Sequence, residues 1–194
     1  MKKFLTSVTL MLLCLKAHTA IIYVNANATG SNNGTSWTNA YTDLQAALSV
    51  AFVNDDIWVA TGTYKPTSTT SRSISFVMRN GVDMYGGFNG TETAVEQRNI
   101  TANPTTLSGD IGSLGDNTDN TYRVVKVENF TAAFTFDGFR VVSGYNANSS
   151  SDGAGMYLAN NPGPLITIKN TVLYNNFVST SGGGMYIENS RIDF

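Results

Sequence analysis

Two blocks of residues occur twice, in the same order, in the C-terminal half of this chain. The sequence GAGMYL at 153–158 returns as GGGMYI at 182–187. Upstream, FTFDG at 134–138 parallels ITIKN at 166–170, at nearly the same separation along the chain. Blocks that repeat in order with a similar period are typical of solenoid proteins, and neither repeat contains a helical pattern. We therefore expect an all-β fold, a right-handed parallel β-helix whose turns stack at about 4.8 Å.

Short apolar runs separated by Gly, Asn, Asp, Ser and Thr support this expectation, because such runs suit a stack of brief strands. We predict strands at 21–25, 57–60, 74–78, 82–85, 122–127, 134–136, 139–142, 166–168 and 172–174. Their apolar side chains should point inward. Gly and Asn should occupy the sharp bends, since both tolerate left-handed backbone angles.

One segment, residues 41–52, has the spacing of an amphipathic helix. Leu44, Ala47, Leu48, Ala51 and Phe52 fall on one face. Residues 42 and 45 have the spacing of a capping box. We expect this helix to cover the exposed strand edges at the N-terminal end of the solenoid.

The C-terminal end, by contrast, stops at residues 191–194 inside a predicted strand, and we expect it to be uncapped. The predicted organisation is a signal peptide at 1–20, a cap and first coil at 21–64, and β-helix coils at 65–194. We interpret the last region as a fragment of a longer solenoid.

The first twenty residues have the pattern of an export signal. Lys2 and Lys3 precede an apolar run at 4–15, which is too short to span a bilayer, and we expect cleavage near Ala20. Acylation at Cys14, as in a lipoprotein, is the alternative. No later segment is apolar enough to span a membrane. We predict an exported protein, either extracellular or associated with the cell surface or outer membrane.

Loss of this segment would remove whole classes of chemistry. Cys14 is the only cysteine and His18 the only histidine of the chain. The remaining residues could form no disulfide, thiol nucleophile, Ser-His-Asp triad or ordinary zinc site. Nine basic and fourteen acidic residues would be left, which argues against nucleic acid as a partner.

The mature region also resembles a known group of proteins. Its start, with IYVN at 22–25, GTSW at 34–37, LQAA at 44–47, IWVA at 57–60 and GTY at 62–64, resembles bacterial surface proteins with a pectin-lyase-like parallel β-helix. YGGF at 85–88, Gly90, Glu92, Arg98 and LSGD at 107–110 fit the same group. LYNN at 173–176 and GGGM at 182–185 are similar to repeats of polymorphic outer-membrane proteins and adhesins. The resemblance implies export and this fold, while the activities in the group range from lyases to adhesins.

A loop rich in acidic residues and asparagine is the candidate metal site. Asp110, Asp116 and Asp119 lie within residues 109–120, and hard oxygen ligands in a glycine-containing loop are what calcium prefers. The spacing differs from that of an EF-hand loop. The alternative interpretation is an Asx-rich turn with no metal. Calcium is the only cofactor that we predict.

Tyr157 and Tyr186 are the candidate glycan-binding residues, because they occupy equivalent positions of the repeat and could form an aromatic platform. The alternative is a packing ladder between neighbouring coils. Basic residues that lyases of this fold would need do not form a recognisable cluster, so we predict no catalytic residue. The leading functional hypothesis is a secreted or cell-surface module for adhesion or for binding glycans or another partner. A polysaccharide lyase or hydrolase acting on acidic glycans, and a structural stalk, are the alternatives.

Overall fold

The computed structural model describes residues 20–147 and 152–194. Residues 1–19 of the predicted signal peptide, with Cys14 and His18, lie outside the described residues. Within the described part of the chain, no helix has both the length and the apolar character needed to cross a membrane.

Strands dominate the structure, and α1 (Leu44–Val50) is the one α-helix of the described residues. The strands are β1 (Ile21–Val24), β2 (Asp56–Ala60), β3 (Gly62–Tyr64), β4 (Phe76–Val77), β5 (Asp83–Phe88), β6 (Thr105–Ser108), β7 (Val125–Glu128), β8 (Phe134–Asp137), β9 (Phe139–Val142), β10 (Tyr145–Asn146), β11 (Met156–Lys169), β12 (Val172–Tyr174), β13 (Phe177–Val178) and β14 (Met185–Asp193). Two short 3₁₀ helices cover Val95–Gln97 and Asn117–Asp119.

In residues 20–147 and 152–194 the strands form three sheets, and all of the paired strands run parallel. The largest sheet has eight strands in the order β1-β2-β5-β8-β11-β7-β4, and β14 also pairs with β11. A four-stranded sheet has the order β12-β9-β6-β3, and β10 pairs with β13.

Strand β11 corrects the predicted fold class. The sequence predicts a short separate strand at 166–168, but these residues are the end of the continuous 14-residue strand β11. The first part of β11 pairs with β7, and its last part pairs with β8. Strands that a solenoid would keep on separate faces are thereby joined in one curled, half-barrel sheet.

The prediction of an all-β, right-handed parallel β-helix with an N-terminal capping helix is therefore wrong. The structure is a mostly parallel sheet accompanied by few helices, of the parallel-sheet α/β kind. The prediction failed because apolar periodicity marks the ends of β11, whereas the polar residues between them gave no sign that the strand continues.

The repeated blocks nevertheless lie side by side. Met156, Tyr157 and Leu158 of β11 pair in register with Met185, Tyr186 and Ile187 of β14. Ile166–Lys169 of the same strand pair with Phe134–Asp137 of β8. Equivalent residues of each repeat therefore occupy equivalent rows of the sheet, which brings the two tyrosines together.

The helix is shorter than predicted and starts later. Asp43 is its N-cap, and the Asp43 carboxylate accepts a hydrogen bond from the backbone N–H of Gln45 at 2.9 Å. Thr42 is not the cap, because the Gln45 N–H binds Asp43 and the Thr42 hydroxyl contacts Asn32 Oδ1 at 3.4 Å instead. Phe52, expected on the buried face, is 74% exposed, since the chain leaves the helix at Ala51.

The core lies inside the curled sheet. Alternate residues of the strands point inward and are completely or nearly completely buried, among them Ile57, Phe76, Phe136, Met156 and Ile166. Burying one such side chain stabilises the fold by about 1.5–3 kcal/mol. The residues between them point outward, and the candidate functional side chains lie on this outer surface.

Most left-handed positions lie in bends between strands and use the predicted residues, whereas Asn160 and Asn189 lie inside β11 and β14. Among the described non-glycine residues with positive φ, all except Ser143 are asparagines. The asparagine side chain can bond to the local backbone, which reduces the penalty of the left-handed conformation. This part of the sequence analysis is confirmed.

Candidate functional site

Tyr157 and Tyr186 stack on the outer surface of the large sheet. Their ring centroids are 5.5 Å apart and the ring planes differ by 8°. The neighbouring residues Met156 and Leu158 are fully buried, so the alternation of the strand directs Tyr157 outward. Both tyrosine side chains are half-buried.

Arg123 extends this stack on the other side. Its guanidinium carbon lies 4.0 Å from the centroid of the Tyr157 ring, which is a cation–π contact. Arg123 Nε also donates to the backbone oxygen of Asp152 at 2.9 Å, which holds the guanidinium over the ring. We call Arg123, Tyr157 and Tyr186 the tyrosine column.

The two tyrosines differ in the faces that they leave open. Tyr157 is covered on one face by Arg123 and on the other by Tyr186. Tyr186 has one face against Tyr157, and no ring or cation of the described residues covers its other face. The predicted packing ladder is therefore present, and Tyr186 is the member that can receive a ligand ring.

Two carboxylates act on the phenol of Tyr186. Asp152 Oδ1 accepts hydrogen bonds from Thr180 Oγ1 at 2.6 Å and from the backbone N–H of Ser181 at 3.1 Å. Glu188 follows Tyr186 by two residues and thus points to the same side of β14. The pKa of the Tyr186 phenol is raised mainly by the charge of Glu188. Burial and the charge of Asp152 raise this pKa further. Both carboxylates therefore act on the phenol.

Two glycines allow the backbone to pass close to Tyr186. Gly153 and Gly182 have φ angles of 73° and 74°, in the left-handed region. A Cβ on either glycine would lie 3.0 Å from the Cβ of Tyr186. The glycines of the repeated blocks thus serve both the turn and the close approach to the ring.

The predicted metal ligands are only partly brought together. Asp110 Oδ2 accepts from the backbone N–H of Gly115 at 3.1 Å, and Asp119 Oδ2 accepts from that of Ser113 at 2.7 Å. Both carboxylates therefore contact one turn. Asp116 is exposed and caps the 3₁₀ helix that follows it.

The carboxylate of Asp116 has its own partners in the chain. Asp116 Oδ1 accepts from the hydroxyl and the backbone N–H of Thr118 at 2.6 and 2.9 Å, and these bonds lower the pKa of Asp116. No group of three His, Cys, Asp or Glu residues suited to a metal occurs in the described residues.

Sequence reasoning missed a second pair of carboxylates. Asp56 and Asp83 are opposite each other on the neighbouring strands β2 and β5. Burial, and then the charge of Asp83, raise the pKa of Asp56 to about 6. Asp83 accepts hydrogen bonds from the Tyr85 hydroxyl at 3.2 Å and from the backbone N–H of Thr135 at 2.7 Å. Burial and these two carboxylates also raise the pKa of Tyr85.

A signal for this pair was present in the sequence. DIW at 56–58 recurs as DMY at 83–85, and the structure pairs these triplets in register. The indole N–H of Trp58 acts on the Asp56 carboxyl and lowers its pKa, although Trp58 Nε1 is buried and completes no hydrogen bond. The incomplete geometry makes this contact weaker than a normal hydrogen bond.

Comparison with known proteins adds no identification. No protein-family model, no curated protein and no solved structure gives a significant match to this chain. The resemblance to pectin-lyase-like surface proteins stays a prediction from the sequence motifs, and the function has to be argued from the site.

Proposed function

We propose that this protein is an exported, cell-surface binding module that recognises glycans with neutral sugar rings at the open end of the tyrosine column. One observation supports the proposal most: no ring or cation of the described residues covers the second face of Tyr186, and the charges of Glu188 and Asp152 act on its phenol. Export is the prediction from residues 1–20.

The chemistry of a sugar suits this arrangement. A pyranose ring has an apolar face of C–H groups and an edge of hydroxyls. The C–H face can pack on the Tyr186 ring, as apolar groups pack on aromatic faces. The hydroxyls can donate to Asp152 and Glu188, and hydrogen bonds to charged acceptors are stronger than those between neutral groups.

The charge at the column favours a neutral sugar over an acidic one. A uronic acid or a sialic acid would bring a carboxylate near Asp152 and Glu188, and like charges in an interface are unfavourable. Arg123 does not offset this, because its guanidinium is held over the far face of Tyr157.

The binding test compares two tyrosines. Tyr186→Ala should reduce retention on immobilised neutral glycans at least about tenfold, which corresponds to about 1.4 kcal/mol. Tyr174→Ala is the matched control, because Tyr174 is a surface tyrosine, 44% exposed, on the different sheet that contains β12. Equal loss in both variants, or no retention of the unchanged protein on any neutral glycan, would refute the proposal.

A polysaccharide hydrolase is the second candidate function, and the observation that favours it is the Asp56–Asp83 pair. Retaining hydrolases use two carboxyl groups about 5–5.5 Å apart, one of them with a raised pKa. Neighbouring strands are about 4.8 Å apart, and the pKa of Asp56 is about 6. New reducing ends released from a polysaccharide, and lost in Asp56→Asn, would support this function. Activity that survives this substitution would contradict it.

A further inference from the structure

Three buried oxygen atoms in one loop have no hydrogen-bond donor. Within the described residues, the buried side-chain oxygens without a partner are Asp110 Oδ1, Asp119 Oδ1 and Asn120 Oδ1. Each unsatisfied buried acceptor costs about 1–3 kcal/mol. All three lie within the short segment 110–120, so a shared partner explains them better than three independent defects do.

The backbone of the loop holds two of these groups against the same turn. The second carboxylate oxygens of Asp110 and Asp119 are bonded to the N–H groups of Gly115 and Ser113, two residues apart. The turn also passes close to Asp119, because a Cβ at Gly112 would lie 2.9 Å from Asp119 Oδ1. The loop therefore directs one oxygen of each carboxylate to hydrogen bonds and leaves the other free.

Asn120 supplies the independent observation. Asn120 is only 2% exposed, and its amide nitrogen lies 3.5 Å from Asn117 Oδ1, so the amide folds back towards the loop. Its Oδ1 remains buried and unpaired. A carbonyl oxygen of an amide is a good ligand for a hard cation, and it cannot be satisfied by protonation as a carboxylate can.

Lys65 partly compensates the charge of this loop. Lys65 Nζ lies 3.8 Å from Asp110 Oδ1, which is beyond hydrogen-bond distance, and its side chain is 39% exposed. Lys65 also lines a surface groove of about 380 Å³ together with Thr63, Thr67 and Ser68. The ammonium therefore has room to move away when a stronger cation arrives.

We propose that the loop at 110–120 binds a calcium ion through Asp110, Asp119 and Asn120, with backbone oxygens or water completing the coordination. Asp116 is outside the ligand set, because its carboxylate is exposed and, unlike Asp110, Asp119 and Asn120, has no buried oxygen without a partner. Calcium suits the site better than magnesium, since it accepts six to eight oxygens in irregular geometry. This inference is independent of glycan binding.

The test uses calcium alone with the purified, chelator-treated protein. Calorimetric titration should show one site, and calcium should raise the thermal unfolding temperature. Asp119→Asn should weaken calcium binding at least about tenfold, because it removes one of two charged ligands. Asp116→Asn is the matched control and should bind as the unchanged protein does.

Lys65→Met gives a second readout that does not depend on a ligand substitution. Removal of the competing ammonium should tighten calcium binding at least about threefold, because the charge of Asp110 is no longer shared. No heat and no thermal shift with the unchanged protein would overturn the proposal. Equal weakening of calcium binding by Asp116→Asn and Asp119→Asn would also overturn it. Tighter binding of magnesium than of calcium, or weaker calcium binding by the Lys65→Met variant, would do the same.

Discussion

The guanidinium of Arg98 lies 2.6 Å from the carboxylate of Asp137, and the two side chains are only 10% and 9% exposed. Arg98 also donates to the backbone oxygens of Gly86 and Asp137, and Asp137 accepts a second side-chain hydrogen bond from Asn170. The pair thereby connects β5, β8 and the bend that follows β11. A buried charge of this kind depends on its partner.

Asp137→Asn should therefore destabilise the protein strongly. The change leaves the Arg98 guanidinium buried without its counter-charge, and we expect the free energy of unfolding to fall by about 3 kcal/mol. Urea unfolding at neutral pH measures this. The control is Lys126→Gln, which breaks the more exposed pair with Glu128 and should cost less than about 1 kcal/mol. Similar losses in both variants would contradict the importance of burial.

Asp56 should make stability depend on pH. Its pKa is about 6 in the folded protein and 3.8 in the unfolded chain, so the folded state binds the proton more tightly. Stability from this group is present below pH 3.8 and is lost as the pH rises through 6. Asp56→Asn should therefore raise the free energy of unfolding by about 1 kcal/mol at about pH 7.5 and have little effect near pH 4. The expected change in free energy is kept this small because Asp56 is partly exposed and solvent screens its charge.

Urea unfolding at both pH values checks this prediction. Asp193→Asn, at an exposed carboxyl on β14, is the control and should change neither value. Stabilisation by Asp56→Asn that is equal at both pH values would show that the effect does not come from ionisation.

The start of α1 can be tested by a pair of substitutions. Asp43→Ala removes the oxygen that accepts from Gln45 and should cost about 1 kcal/mol of unfolding free energy. Thr42→Ala should cost less, because the Thr42 hydroxyl makes only a long contact of 3.4 Å with Asn32. A larger loss for Thr42→Ala in thermal or urea unfolding would restore Thr42 as the cap.

Gly182 should be the least replaceable glycine near the column. Gly182→Ala combines a left-handed backbone with a Cβ 2.5 Å from the backbone oxygen of Met185, which is closer than the nearest contact at Gly153, and we expect a loss of about 2 kcal/mol or more. Gly115→Ala has a similar φ of 83° in open space and should cost about 1 kcal/mol. Gly163→Ala, in open space with ordinary φ, should be close to neutral. An inverted order in urea unfolding would contradict this account.

Several local features could be predicted because their causes are local. Apolar alternation identified the strands around Ile22, Ile57 and Phe136, and the preference of asparagine for left-handed angles identified the bends. The N-cap of the helix was displaced by one residue, from Thr42 to Asp43, because both are good caps. The choice between them depends on the earlier residue Asn32, which binds the backbone of Thr42.

In the candidate sites, too, the sequence predicted what depends on local patterns and missed what depends on distant residues. Equivalent positions in the repeat placed Tyr157 beside Tyr186, but Arg123 comes from a segment before β7 and no pattern linked it to the ring. For the acidic loop, spacing could not separate Asp116, which bonds within its own turn, from Asp119, which reaches back to Ser113.

By itself the sequence determined many of the strands, most of the left-handed bends and which residues repeat, because these follow from side-chain periodicity and backbone preference. It did not predict β3, β6, β10 or β13. The tertiary structure alone decided how the strands are joined. β11 continues through a polar stretch and pairs with β7 at one end and β8 at the other, and this converts the expected solenoid into a curled sheet. Such pairing joins residues that are distant in the sequence, and the free energy that selects it comes from burying the whole core at once.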